Sequence, residues 1–332
     1  MSSLPAPEAQ LIDPSVRAGA SIAGLGVALP PKVVDNAQAT SRVEREVDDD
    51  WIVRRTGIRE RHHAEPTDQL ALLAAEASRG ALDDAGVAAT DIDLILLGTV
   101  TADHITPGCA PLVAAELGTF AGALDVNAAC AGFVSALSLG AAMIEAGRAS
   151  RVLAIGAEII SRHVDPRDLH TAAIFGDGAG AVVLEASSEA RVGPAVLGAD
   201  GSYGHLIVAP RDTGVMSMDG HEVFRQAIVR MTQATTDACD AAGMTLDDID
   251  VFVFHQANAR ILVKLAERLG LSMDRVVNSI AGTGNTSAAS VPLALAAARD
   301  EGRLADGSRV LLCALGAGLT WASTVVTWGR GG

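Results

Sequence analysis

Residues 83–97, DDAGVAATDIDLILL, and residues 240–254, DAAGMTLDDIDVFVF, share one pattern at an offset of 157 positions. Gly86 and Asp93 of the first stretch recur as Gly243 and Asp250 of the second, and each stretch runs into a β-type apolar segment. One residue out of that register, VLAIG at 152–156 pairs with VLLCALG at 310–316. A period this long exceeds any solenoid repeat, so it reads as one α/β half written twice. Duplicated halves place equivalent segments on either side of a pseudo-twofold axis, where a nucleophile from the first half stands beside helper groups from the second. At the 157 offset Cys130 falls on Ser287.

Outward from the repeat, β-type runs are expected at 92–97, 123–126, 152–155, 181–184, 251–254, 310–314 and 324–327. Ala-rich helical stretches are expected at 70–85, 130–146 and 286–300. Strand–helix alternation of this kind predicts α/β layers with largely parallel pairing. Residues 1–20, rich in Pro, Ser and Ala, read as a loose tail. The two halves are then 21–190, carrying the cysteine, and 191–332, carrying a histidine and an asparagine treated below.

Composition narrows the function. At 49% hydrophobic, the 332-residue chain can bury a large core, and with only 3% aromatics that core is packed from Ala, Val, Leu and Ile. A formal net charge of −15 argues against nucleic acid and against an anionic membrane surface as partners. Cys109, Cys130, Cys239 and Cys313 show neither CxxC nor zinc-ligand spacing, which suits a reducing cytoplasm. The N-terminus lacks the basic start and apolar run of a secretion signal, and no uninterrupted apolar stretch reaches the roughly 18 residues of a membrane span. A cytoplasmic, soluble protein without a bound metal is expected.

Three short segments carry chemistry. In DVNAACAGF, Cys130 follows the β-type run ALDV and opens a long helical pattern. A helix N-terminus lowers a thiol pKa and favours thiolate, although a lone cysteine is more often a buried structural residue. In HQANARI, His255 follows the apolar run VFVF, and strand C-termini are where α/β sheets collect ligands. In GTGNTSAAS, Asn285 sits on a Gly-rich turn entering a helix, where an N-cap role competes with a catalytic one.

Together these segments resemble those around the Cys-His-Asn site of β-ketoacyl-acyl carrier protein synthase III, a condensing enzyme of the thiolase-like superfamily. HQANARI differs by one residue from the family's usual HQANLRI, and the resemblance runs from about residue 22 to residue 329. It implies a thiolase-like fold and a decarboxylative condensation of an acyl-coenzyme A primer with malonyl-acyl carrier protein, starting fatty-acid or related chain synthesis. A thiolate suits transfer between thioesters. Two neutral donors, His255 Nε2–H and the Asn285 amide, suit the enolate left when the malonyl group loses CO₂. The Cys130 and Ala317 N–H groups are the implied oxyanion hole. No cofactor is implied beyond the coenzyme A thioester as substrate, and the chain is expected to pair as a homodimer through which the 102–108 loop reaches the neighbour's pocket.

In DDDWIVRRTGIRERH the resemblance assigns Trp51 to adenine stacking and Arg55 to phosphate contact; Arg225 and Arg260 match positions for carrier-protein or coenzyme A docking. Three positions depart from the family. Leu169 replaces an Arg that meets phosphate, while Thr106 and Leu315 replace Phe residues of the acyl pocket, so a roomier pocket for longer or branched primers is expected. The departures leave open an acyltransferase or polyketide-priming role, and a non-catalytic partner subunit is the remaining reading. GDGAGA at 176–181 precedes a strand-like run rather than a helix, so it is not a dinucleotide fingerprint; the resemblance makes it a hairpin turn. His62 and His63 read as a solvated face.

Overall fold

The computed structural model describes residues 19–45 and 47–331. Of the expected tail, residues 1–18 lie outside the described residues, whereas Gly19 and Ala20 already belong to the first strand. In chain order the strands are β1 Gly19–Ala28, β2 Lys32–Asp35, β3 Glu60–His63, β4 Leu94–Gly98, β5 Gly122–Val126, β6 Arg151–Glu158, β7 Gly178–Ser187, β8 Val196–Ala199, β9 Ile207–Val208, β10 Ser217–Met218, β11 Val251–Phe254, β12 Arg309–Gly316 and β13 Thr320–Thr327. The longer helices are α1 Asp49–Thr56, α2 Leu70–Ala85, α3 Cys109–Leu117, α4 Gly132–Glu145, α5 Gly220–Ala241, α6 Ala259–Leu269 and α7 Ser290–Asp300.

The duplication is visible in the topology. One sheet has the order β1-β7-β6-β4-β5 and the other β11-β12-β13-β8, so β8-β13-β12-β11 repeats β1-β7-β6-β4. Phe252 of β11 also bridges in parallel to Val276, in the place that β5 occupies beside β4. Pairing is mixed rather than largely parallel: β4 runs parallel to β5 and β6, and β11 to β12, but β7, β1, β13 and β8 are all antiparallel to their neighbours. The β12–β13 hairpin, the return of β6 into β7, and the sequence-distant strands β1 and β8 laid antiparallel on the sheet edges account for the difference.

Alternation along the central strands builds five layers. In β6, Val152 and Ala154 join the core between the sheets, while Leu153, Ile155 and Ala157 face the outer layer of α2 and α3. In β12, Val310, Leu312 and Ala314 face inward, and Leu311, Cys313 and Leu315 face outward toward α5 and α6. A strand buried on both faces reads as an unbroken apolar run, which is why these two were legible in the sequence. The middle layer is α4 and α7, one from each half. Phe133, Val134, Leu137 and Val291 in that layer are fully buried. Where sheets and helices crowd so closely only glycine fits: a Cβ on Gly156 of β6 would lie 2.4 Å from the Ala288 carbonyl oxygen.

The repeat register also needs correcting at its centre. Short 3₁₀ turns at Ala129–Ala131 and Ser287–Ala289 lead into α4 and α7, and they stand 158 residues apart, not 157. Cys130 is therefore the structural counterpart of Ala288, and Asn127 that of Asn285. The extra residue lies between the β4/β11 pair and these turns.

Two surface readings also change. His62 and His63 lie on β3 and are half-buried, with His62 Nδ1 2.6 Å from the Pro30 carbonyl and His63 Nε2 3.3 Å from that of Phe175. GDGAGA is not a hairpin turn: Gly178 begins β7, and buried Asp177 accepts hydrogen bonds from Ala64 N–H and from both Ser161 N–H and Oγ–H.

Candidate active site

A cavity of about 850 Å³ opens where the two halves meet, and Cys130, His255, Asn285, Leu315 and Ala317 all line it. Cys130 comes from the turn before α4; His255 follows β11 directly, its N–H donating to the Cys313 carbonyl on β12 at 2.8 Å. Asn285 is clamped against the first half, donating its N–H to Ile174 O at 2.9 Å and accepting at its own carbonyl from Gly176 N–H at 3.0 Å. The three residues that sequence alone singled out therefore meet in one space.

Hydrogen bonds orient the two helpers. Asn285 Oδ1 accepts the Ser287 N–H at 2.9 Å, which leaves the amide NH₂ as the free donor. His255 Nδ1 lies 2.5 Å from Ser290 Oγ, and that oxygen already accepts from Gln256 N–H. In the tautomer in which the Ser290 hydroxyl donates to Nδ1, the imidazole carries its own proton on Nε2. Burial pushes the His255 pKa down to about 4, so the ring is neutral at pH 7. Two uncharged donors result.

Cys130 departs from the expectation of a lowered thiol pKa. Cys130 sits in the 3₁₀ turn rather than in the α-helix itself, and burial pushes its thiol up to about 11 although the Ser287 hydroxyl and its own backbone N–H favour the thiolate. Desolvation of the sulfur and the negative field of Glu158 outweigh the helix-terminus effect read from the sequence. The backbone is strained on both sides of the axis: Ala129 and Ser287 hold φ values of 48° and 51°, left-handed conformations rare outside glycine. β12 ends against Cys130, since a Cβ on Gly316 would lie 2.4 Å from Cys130 N. That contact carries Ala317, the expected second oxyanion donor, to the rim beside Cys130.

Sequence reasoning assigned no role to Glu158, Ser287 or Ser290. Glu158 is fully buried at the end of β6, and its carboxylate accepts from the Thr99 and Thr101 hydroxyls, Val100 N–H and the Ser287 hydroxyl. The signal was present: a lone carboxylate closes the apolar run RVLAIGAE at an inward-facing position.

The other expected binding residues divide. Trp51, Arg55 and Leu169 line a second groove of about 510 Å³ together with Arg45 and Arg167, which the sequence reading missed. The Arg55 guanidinium lies 4.0 Å and that of Arg45 5.4 Å from the Trp51 ring centre. Exposed Arg260, at the first turn of α6, lies 5.8 Å from the Phe224 ring, and exposed Arg225 is paired with Glu222 at 2.5 Å. Thr106 does not line the cavity in this chain. It stands exposed on the loop whose His104 and Ile105 do.

Comparison with known proteins agrees with this geometry. Residues 124–201 match the family model described as 3-oxoacyl-[acyl-carrier-protein (ACP)] synthase III, and residues 239–328 match its C-terminal counterpart. The chain is 46% identical over 316 residues to the β-ketoacyl-[acyl-carrier-protein] synthase III 2 of Streptomyces coelicolor, covering 94% of each. It superposes on the 3-oxoacyl-(acyl carrier protein) synthase III of Pseudomonas aeruginosa PAO1 with a TM-score of 0.88 at 40% identity, covering 94% of this chain and 99% of that one. The priming β-ketosynthase of the R1128 polyketide biosynthetic pathway is similar over the whole of both chains, with a TM-score of 0.90 and 35% identity.

Proposed function

This chain belongs to the 3-oxoacyl-[acyl-carrier-protein] synthase III family and has its layered thiolase-type fold, and on that premise we propose that it condenses an acyl-coenzyme A primer with malonyl-acyl carrier protein. It is a condensing acyltransferase. The observation that carries the reading is the meeting of Cys130, His255 and Asn285, from both halves of a duplicated fold, on one cavity. Cys130 takes the acyl group and releases coenzyme A. The malonyl thioester then loses CO₂ beside His255 and Asn285, and the resulting carbanion attacks the acyl-Cys130 carbonyl to release a 3-ketoacyl thioester. Cys130 N–H and Ala317 N–H are the donors for the tetrahedral oxyanion. Acyl-coenzyme A plus malonyl-acyl carrier protein will yield 3-ketoacyl-acyl carrier protein; acyl transfer to a hydroxyl or amine acceptor without CO₂ release would overturn the assignment.

Support for coenzyme A comes from the groove beside Trp51, where Arg45, Arg55 and Arg167 supply positive charge that Leu169 withholds. Arg225 and Arg260 are the basic groups near the mouth for an acidic carrier protein. A priming role in a polyketide pathway is the second reading, favoured by the full-length likeness to a priming β-ketosynthase. Among the described residues no helix is long and apolar enough to cross a membrane, and the location proposed is the cytoplasm.

The active form is proposed to be a homodimer. Strand β5 is the unpaired edge of its sheet, and Leu124 on it is 59% exposed, with Phe120 at 72% and Ile105 at 83% nearby. An apolar sheet edge is a template for pairing with another copy. Across such an interface the 102–108 loop, with Thr106, reaches the neighbour's pocket. Sedimentation at micromolar concentration will give a dimer; an active monomer would contradict this.

Primers of about four to eight carbons, or branched ones, will outcompete acetyl. Leu315 lies on the cavity wall in place of a larger ring, and Met216, Met218, Met231, Phe224 and Ile207 make much of the remaining surface apolar and deformable. Each methylene buried there gains roughly 0.8 kcal/mol, about fourfold in preference per carbon until the channel ends. Leu315→Phe will move the preference toward acetyl in direct competition assays. Acetyl-coenzyme A emerging as the best primer of the unmodified protein would show the channel to be closed.

A further inference from the structure

A thiol pushed up to about 11 needs somewhere to send its proton, and the helpers on the far side of the cavity are set as donors. The Ser287 hydroxyl lies 3.5 Å from Cys130 Sγ and 3.1 Å from Glu158 Oε1. It has one proton and two acceptors. The rest of the Glu158 carboxylate is held by Thr99, Thr101 and Val100 N–H, which fix Oε1 toward Ser287. Ser287 itself is locked in a left-handed conformation by the Asn285 side chain, so its hydroxyl has little freedom to turn elsewhere.

We propose that Glu158, acting through the Ser287 hydroxyl, accepts the Cys130 proton, stores it while the acyl-enzyme exists, and returns it when the thioester is consumed. In the forward step the Sγ–H proton passes to Ser287 Oγ as the Ser287 proton passes to Glu158 Oε1, giving thiolate and a neutral carboxylic acid. The thiolate lone pair then forms the bond to the acyl carbon, the bond from that carbon to the coenzyme A sulfur breaks, and the departing thiolate takes a proton from solvent. When the malonyl-derived carbanion later displaces Sγ, the proton on Glu158 travels back through Ser287 and restores the thiol. Storage as a neutral acid also removes a negative charge from the cavity while the enolate forms.

Burial raises Glu158 to about 7, against the pull of its hydroxyl and N–H donors, so it changes state near neutral pH. Among the described residues no charged side chain contributes to this shift. The ionisable groups that feel its charge are the Cys130 thiol and, from α3, the Cys109 thiol, itself pushed up to about 12. Glu158 is a positioning residue: it touches neither substrate nor sulfur.

The proposal rests on Cys130 being the nucleophile, and its test needs no substrate. Alkylation of Cys130 by iodoacetamide is followed by intact mass from pH 6 to 9. If the thiolate is favoured while Glu158 holds the proton, resting and reactive forms carry the same number of protons just above pH 7, and the native rate shows a shoulder there before thiolate formed by loss of the proton to solvent takes over at higher pH. Glu158→Gln and Ser287→Ala must instead lose the proton to solvent, so their rates climb about tenfold per pH unit to pH 9, because thiolate is the reacting species. A native rate that climbs tenfold per pH unit with no shoulder, or a folded Glu158→Gln protein with the same shoulder as the native, overturns the proposal. Should Glu158→Gln fail to fold, Ser287→Ala decides by the same criterion. A native shoulder in a protein that takes no acyl group from acyl-coenzyme A would sink the proposed function and leave the relay standing.

Discussion

Cys130→Ala will accept no acyl group: after incubation with a mixture of acyl-coenzyme A thioesters its intact mass will be unchanged, while the unmodified protein gains one acyl group. The other cysteines cannot substitute. Cys109, Cys239 and Cys313 are at most 2% exposed, and burial pushes their thiols to about 12, 11 and 12. Cys239 and Cys313 sit in the outer core of the second half and Cys109 under α2, none of them on the cavity. Cys130 alone of the four lines it. Alanine at 109, 239 or 313 will therefore leave acylation intact, at most trimming stability by the loss of a small buried group. An acyl adduct persisting on Cys130→Ala would place the nucleophile elsewhere. The variant retains His255 and Asn285, so slow decarboxylation of malonyl thioester without condensation is expected to survive, separating the two half-reactions.

What the sequence made legible follows from what each signal encodes. Strands β6, β11 and β12 are buried on both faces and stand out as apolar runs, and α2 was bounded correctly at Leu70–Ala85. β1, although long and buried, escaped because GASIAGLGVA mixes glycine and alanine into a strand, and small residues carry little β signal. Those glycines are there because α2 packs directly on the strand: a Cβ on Gly26 would lie 2.2 Å from Ala81 N. Cys130, His255 and Asn285 were legible through their motifs, but Glu158 was not. Its meaning lies in contact with Ser287, 129 positions away, and a single carboxylate in an apolar run does not name its partner. The thiol pKa was misjudged for a related reason: the helix start is a local property, whereas burial is a property of the assembled halves.

His255→Ala and Asn285→Ala will each slow malonyl decarboxylation by about 10²–10³, and both will slow the first acyl transfer far less. The asymmetry follows from where the donors are aimed. With the Ser290 hydroxyl donating to Nδ1 the imidazole proton stands on Nε2, and Ser287 N–H occupies Asn285 Oδ1, so each side chain presents a donor fixed before substrate arrives. Preorganised donors stabilise charge that appears only in the transition state, without the cost of reorienting. Acyl transfer is proposed to draw instead on the Cys130 and Ala317 N–H groups and on the sulfur itself. Neutrality is part of the design: with its pKa near 4, His255 remains uncharged from pH 6 to 9, and its contribution to decarboxylation will be flat across that range. Asn285→Asp keeps the acceptor for the Ser287 N–H but sets a carboxylate oxygen in place of the amide donor where the enolate oxygen forms, and will be at least as damaging as Asn285→Ala. Release of CO₂ from malonyl thioester, measured without primer, isolates this step. A parental rate in either alanine variant would remove that residue from the enolate site, and an equal loss in both half-reactions would mean that its loss distorts the cavity rather than withdrawing a donor.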